Sequence, residues 1–190
     1  MTRRYELKRR AERQAETRRR IVEATVALHT SVGPARTSIS AIAERAGVQR
    51  HTVYDHFPSE RELFRACSAH WYASKPFPDP ARWVALDDPE RHLRAALRDV
   101  YRWYEAVESD LSLFARDSSL VAAGAEIWDE RRARMAEMAE LLARGWPRRK
   151  AVRAAIGHAL EFETWRSLVR RQNLTSTQAV DAMLRFVLSV

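Results

Sequence analysis

Residues 37–57, TSISAIAERAGVQRHTVYDHF, constrain this chain more than any other stretch. Thr37 and Ser38 are residue types whose side-chain oxygen satisfies an orphan amide at a helix start. Ile39, Ile42, Ala43 and Ala46 then recur at helical spacing, so one face of the segment is apolar. Gly47 stands where that helix must stop and the chain must turn, because glycine adopts positive φ without penalty. Val48 seats the turn on the core. A second short helix is predicted from Gln49, with Val53 and Phe57 inward at i, i+4 and Tyr54 at their edge. Its outer face carries Gln49, Arg50, His51, Thr52, Asp55 and His56, and Pro58 ends it.

An apolar underside beneath a polar outer face, in two short helices with one tight turn, suits a helix-turn-helix whose second helix lies in the DNA major groove. A plain αα-hairpin in a helical bundle shares the pattern, so the flanking residues matter. Thr17-Arg18, Ile21, Gly33, Thr37-Ser38, Ile42-Ala43, Ala46-Gly47-Val48, Thr52-Val53-Tyr54, His56-Phe57 and Leu63-Phe64 come in an order and spacing that resemble the TetR (tetracycline-repressor) family of bacterial transcriptional regulators. The resemblance covers the first third of the chain. It implies an all-α homodimer with an N-terminal three-helix DNA-binding domain and a C-terminal helical domain for effector binding and dimerisation. Two positions depart from the family pattern. His51 stands where a small residue is usual, and Glu60 where a basic residue often lies near a phosphate.

On that reading residues 1–16 are a basic arm, 17–58 the helix-turn-helix domain, and 59–190 the helical effector and dimerisation domain. Arg18, Ser38, Thr52, Tyr54 and His56 are expected on the DNA backbone, with Thr37 and Ser40 also facing DNA. Gln49, Arg50 and His51 are expected on base edges, since arginine pairs well with guanine and glutamine with adenine. Arg3, Arg4, Arg9 and Arg10 of the arm are placed to follow phosphates or enter a minor groove, as N-terminal arms do in other proteins, or to form a solvated tail.

The net charge of +8 matters through its placement. Residues 1–65 hold 14 Lys and Arg against 8 Asp and Glu, leaving 19 against 17 for the rest. Positive charge therefore concentrates on the segment with the helix-turn-helix, as a phosphate partner requires. No run reaches transmembrane length and the arginine-rich start lacks the apolar centre of a signal peptide, so a cytoplasmic protein without membrane contact is expected. Cys67, the single cysteine, has no internal disulfide partner and falls among apolar neighbours.

Further along, a first helix is predicted over 17–31, with Ile21, Ala24, Thr25 and Leu28 on one face and His29 as a hydrogen-bonded packing residue. Ser59 with Glu62 forms a capping box that opens the next helix. Four prolines in 74–89 forbid a regular helix there, with Phe77 and Trp83 tucked in. Asp88-Pro89 opens an amphipathic helix carrying Leu93, Leu97, Val100, Tyr101, Tyr104 and Val107, with Trp103 off the stripe. A separate short helix is predicted after Asp110, a longer one over 124–145, and one dense in small residues over 148–171. Thr175 with Gln178 caps the last.

Tyr101, Trp103, Tyr104, Phe114, Trp128, Met135 and Met138 form the expected effector site, because large rigid side chains with polar tips orient ligands well. Few charges fall among them, so the expected ligand is small and mainly apolar. Ala155, Ala159, Phe162, Trp165, Val169, Ala179, Met183 and Phe186 form the expected dimer face. No cofactor is implied. His158 and Glu161 share a helix face while Glu163 points elsewhere, which argues against a metal. Two further classes stay open: a DNA-binding architectural or constitutive regulator without an effector, and a helical enzyme with a basic surface.

Overall fold

The computed structural model of the chain describes residues 2–86 and 88–190, with side chains from Tyr5 onward. Among the described residues the chain is helical throughout: α1 (Thr2–His29), a 3-10 turn (Pro34–Arg36), α2 (Ile39–Ala46), α3 (Arg50–His56), α4 (Glu60–Ser74), α5 (Ala81–Val84), α6 (Pro89–Asp117), α7 (Ala122–Leu142), α8 (Arg149–Leu160), α9 (Phe162–Arg166), which widens into a π-helical turn (Ser167–Arg171), and α10 (Ser176–Leu188). It divides into two compact units, residues up to 76 with 109–128, and 77–108 with 129–190.

In the first unit the core is built by the second half of α1 with α2, α3 and α4. Ile21, Val22, Ala24, Ile42, Ala43, Ala46, Val53, Phe57 and Leu63 are its buried members. The helix ends follow from the residues expected to make them. The Ser38 hydroxyl accepts from the Ala41 amide at 3.1 Å. Gly47 takes the left-handed conformation, φ 64°. Its N–H reaches the Glu44 carbonyl and the Val48 N–H the Ala43 carbonyl, at 3.1 and 3.0 Å, the pairing that closes a helix through a left-handed residue. Ser59 accepts from Glu62 at 3.2 Å to start α4.

The 3-10 turn is held from 82 residues away, where the Asp117 carboxylate accepts from the Ala35 amide at 3.0 Å. Arg116 donates to the Val32 carbonyl at 2.9 Å and to Asp117 at 2.6 Å. Gly33, at φ 94°, lies directly beneath this clamp, and a Cβ there would overlap the Arg116 and Asp117 side chains. The guanidinium of Arg116 holds the Asp117 carboxyl below the usual aspartate range. Elsewhere in this unit Asp110, 4% exposed, accepts from the Trp71 indole at 2.7 Å and pairs with Lys75.

In the second unit Leu93, Ala96, Leu97, Val100, Tyr101, Tyr104 and Val107 form a continuous buried stripe on α6. Leu142, Ile156, Leu160, Trp165, Val180 and Leu184 are buried in the same unit. Thr175 and Gln178 form the complete capping box of α10. Arg170 holds Glu108 through two nitrogens at 2.6–3.0 Å, and Arg94 pairs with Asp181 at 2.6 Å.

The first helix begins at Thr2, and the basic arm extends it. Several expected boundaries are corrected. The proline-rich stretch contains the single turn α5, started by Asp79 accepting from the Ala81 amide at 3.0 Å. No break occurs at Asp110, because α6 runs through to Asp117. The expected helix over 148–171 is broken at Glu161, which is extended at φ −68°, ψ 138°. Trp103 is buried rather than off the packed face, with Phe77 against it at 5.0 Å. Trp83 is buried as expected, donating to Asp99 at 2.9 Å.

Candidate nucleic-acid interface

α2 and α3 meet at the Gly47 turn, and their shared underside is sealed by Val53 and Phe57, 1% and 2% exposed. That seal forces the opposite side of α3 outward. Gln49 stands at its N-cap position without making a side-chain cap, and Gln49, Arg50, His51, Tyr54 and Asp55 are all exposed. Arg50 leans along the helix to Tyr54, whose hydroxyl accepts from its Nη2 at 3.3 Å. This bond raises the Arg50 pKa further and keeps the guanidinium charged. A charged fork steadied by one weak, exposed bond can leave it for a better acceptor, such as a guanine edge.

Other residues expected on DNA have internal work. Arg18 donates to the His56 carbonyl at 2.6 Å and its guanidinium lies 3.9 Å over the Phe57 ring. The Thr37 hydroxyl donates to Gly33 at 2.9 Å. Ser38 is the α2 cap described above, and Ser40 is exposed beside it. Thr52 and His56 are half-buried and line a groove of about 440 Å³ with Gln14, Ala15, Arg18 and Asp55.

Arg20 carries a role the sequence did not disclose. It donates twice to the Ala46 carbonyl, at 3.1 and 2.6 Å, and once to that of Gly47 at 3.1 Å. Terminal helix carbonyls lack intrahelical partners and favour a cation. Arg20 therefore closes the end of α2 while Arg18 closes the end of α3, so α1 braces both helices. Nothing local to Arg20 signals this, because its partners lie 26 and 27 residues away.

Beneath the interface His29 is 4% exposed. Its Nδ1 lies 3.5 Å from the Cys67 Sγ and its ring packs on Phe64 at 4.7 Å. Burial pulls the His29 pKa down to about 4, against the pull of Asp117. The same burial pushes the Cys67 thiol up to about 12. Both groups are neutral at pH 7, so the pair is packing and holds no thiolate nucleophile.

The expected effector residues are not all in one place. Tyr101, Trp103, Tyr104, Met135 and Met138 belong to the second unit, Phe114 and Trp128 to the first. The Tyr101 hydroxyl donates to the Ala159 carbonyl at 2.8 Å and that of Tyr104 to the Leu160 carbonyl at 2.6 Å. These are the carbonyls left over where α8 stops. Arg131, 6% exposed, donates to the Tyr104 hydroxyl at 2.9 Å. The expected dimer set also divides. Ala155, Ala159, Phe162, Trp165 and Ala179 are buried within the chain itself. Val169 and Met183 are half-buried, and Phe186 is 42% exposed.

Residues 21–67 match the family model described as bacterial regulatory proteins, tetR family. No curated protein sequence matches the chain. Among solved structures it is similar to NalD, the secondary repressor of the MexAB-OprM multidrug efflux pump in Pseudomonas aeruginosa, at 19% identity over 93% of this chain and 96% of that one, TM-score 0.63. It is also similar to a TetR-like transcriptional regulator from Rhodococcus sp. RHA1, at 19% identity over 90% and 93%, TM-score 0.62. A third is the multidrug binding protein EbrR complexed with imidazole, at 21% identity over 88% and 93%, TM-score 0.59. Likeness at these identities concerns the fold. Among the described residues no helix is long and apolar enough to cross a membrane, and no group of three or more His, Cys, Asp or Glu is placed to hold a metal ion.

Proposed function

The chain belongs to the TetR family of DNA-binding transcriptional regulators, a family of non-enzymes, and on that premise we propose that it is a homodimeric repressor released from its operator by a small, mainly apolar effector. The observation that carries the DNA part is the exposed row Gln49, Arg50 and His51 over the sealed Val53–Phe57 underside. In this reading residues 17–58 are the DNA-binding domain, with Arg50 and Gln49 on bases and Ser38, Ser40, Tyr54 and His56 on the backbone. Two copies of α3 enter successive major grooves, about 34 Å apart. The effector binds within residues 59–190 and favours a different separation, and its differential affinity for the two arrangements sets how far the equilibrium moves.

The effector part is supported by the Phe77–Trp103 ring pair of the second unit, beside the Tyr104 scaffold. Phe77 meets Trp103 at 5.0 Å, and Tyr104 meets Phe162 and Trp165 at 5.3 and 5.7 Å. The EbrR structure, similar in fold, is of a protein named as multidrug binding. Dimerisation is assigned to the outer sides of α8 and α10, where Phe186 and Leu188 are exposed at 42% and 49% and the His158 ring packs on Phe186 at 5.9 Å.

The test begins by selecting bound fragments from the source genome to define the operator. Arg50→Ala then loses about 1–3 kcal/mol of discrimination at one base position. Equal losses on operator and random duplexes would reduce Arg50 to a phosphate contact. An operator complex that no small apolar compound dissociates removes the effector from this reading and leaves a constitutive regulator.

A further inference from the structure

The net positive charge of the N-terminal third precedes the α2–α3 pair in sequence. Residues 1–20 carry nine arginines and lysines against three glutamates. Residues 21–65 carry five basic against five acidic side chains and are neutral as a body. All of the net positive charge of the N-terminal third therefore lies within residues 1–20, of which the stretch 5–16 holds four basic against three acidic side chains.

Those turns form part of a continuous helix, Thr2–His29, and every residue from Tyr5 to Glu16 is exposed. They have no core to pack on. Lys8 is engaged by Glu12 at 3.9 Å, and Glu16 is engaged by Arg19 at 2.6 Å. Arg9 stacks on the Tyr5 ring at 5.7 Å. Arg9, Arg10 and Arg13 make no ion pair among the described residues.

Their direction is fixed by the helix. Arg10 precedes Ile21 by eleven residues and Arg13 precedes Ala24 by eleven, which is about three turns and returns to nearly the same face. Ile21 and Ala24, at 0% and 4% exposed, are the residues that bury that face on the helix-turn-helix. Arg10 and Arg13 thus continue the same side about 16 Å further along the axis, at about 1.5 Å per residue. On the way, Gln14, Ala15 and Arg18 form one wall of the groove whose other wall is Thr52, Asp55 and His56 of α3. The extension runs past the end of the recognition helix with its uncompensated arginines on the inner side.

We propose that residues 5–16 of α1 are a helical arm that binds the phosphate backbone of the duplex beyond the bases read by α3, and that Arg9, Arg10 and Arg13 add a sequence-independent share of the electrostatic affinity. This rests on the DNA-binding reading above. The partner chemistry follows from Arg9, Arg10 and Arg13, exposed guanidinium groups without an ion pair among the described residues, which phosphate oxygens satisfy. The arm has no apolar stripe with which to lie in a lipid surface. It reads no bases, so it acts alike on every sequence and places the register choice wholly on Gln49, Arg50 and His51.

The experiment measures operator and random-duplex affinity of the full chain across a salt series, for wild type and for Arg9→Gln, Arg10→Gln, Arg13→Gln combined. Each neutralised phosphate contributes about 0.9 to the slope of log affinity against log salt. The triple variant, acting twice in a dimer, is expected to lower that slope by about 3–5 and to weaken both duplexes equally. The ratio between them stays unchanged, and so does the helical circular dichroism. The matching triple lysine variant is expected to restore the wild-type slope. An unchanged slope in a variant that still selects its operator overturns the arm while leaving the function intact. A loss confined to the operator duplex also overturns it, by making the arm a base reader. Binding of wild type, but not the variant, to phosphatidylglycerol vesicles without any change in the DNA slope would give the arm to a membrane and overturn the proposal. Failure of wild type to prefer any duplex defeats the functional reading itself.

Discussion

The α2–α3 pair and the α6–α8 pair use the same kinds of side chain to opposite ends. In the first, Arg50 and Tyr54 bond only to each other, at 3.3 Å and fully in view of solvent. In the second, Tyr101 and Tyr104 are 0% exposed and their hydroxyls satisfy the carbonyls of Ala159 and Leu160. An aromatic ring with a polar tip is a site in one place and a scaffold in the other. What separates them is whether the polar atom already has a partner from the chain's own backbone. A buried donor released from such a partner costs more than the bond was worth, so these tips are held in place.

The contrast can be broken in three ways. Trp165 is 0% exposed and its indole N–H has no partner among the described residues, so buried area and ring contacts, with the Arg170 guanidinium 5.7 Å from its centroid, hold it. Trp165→Ala is expected to destabilise the second unit by about 3–5 kcal/mol in denaturant melts. A variant that keeps its stability but loses response to an effector would turn this ring from scaffold into site. A smaller effect tests the first region. The folded chain binds His29's proton only near pH 4, whereas an unfolded chain binds it near 6.5. Between those values the unfolded state holds more protons, so stability is full above pH 6.5 and is lost as pH falls toward 4. At about 1.4 kcal/mol per unit the loss reaches roughly 3 kcal/mol. Asp117, held low, adds its own loss only below the ordinary aspartate range. Urea midpoints at pH 7 and 4.5 should show this slope in wild type and not in His29→Gln; the same slope in both removes His29 as its source. The smallest effect sharpens the comparison. Tyr104→Phe keeps the ring and removes one bond, and is expected to cost about 1–2 kcal/mol. Tyr54→Phe, on the exposed side, should cost next to nothing in stability. Equal costs would erase the distinction between the two regions.

The helix-turn-helix was readable because its determinants are local. Thr37-Ser38, Gly47 and Pro58 set helix ends within a few residues of themselves, and Ile42, Ala43, Val53 and Phe57 bury at short spacing. The second unit was less readable for the opposite reason. Its break at Glu161 shows no proline or glycine, because the freed carbonyls are satisfied from α6, 56 and 58 residues back in sequence. Small and aromatic residues of α8 and α9 looked like a surface for another copy. Ala155, Ala159 and Trp165 are already buried in the single chain, and periodicity reports an apolar face and not what covers it. The bracing arginines were hidden in the same way. Arg18 reads as a phosphate ligand by type and Arg20 carries no local signal, and only the positions of the Ala46, Gly47 and His56 carbonyls reveal what the two hold.

The Asp117–Ala35 clamp also sets an order of events. Its partners stand 82 residues apart, while the three-helix body it braces is closed by residue 67. Contacts distant in sequence are made late, after local helices have packed. On a ribosome adding about 5–20 residues per second, the recognition body exists for roughly 3–10 s before Asp117 has been synthesised. During that interval the Ala35 amide belongs to water and Gly33 has nothing above it. The newborn chain thus holds its DNA-reading helices before it holds the strap that fixes the turn leading into them, and the last step of maturation in this unit is the fastening of that turn.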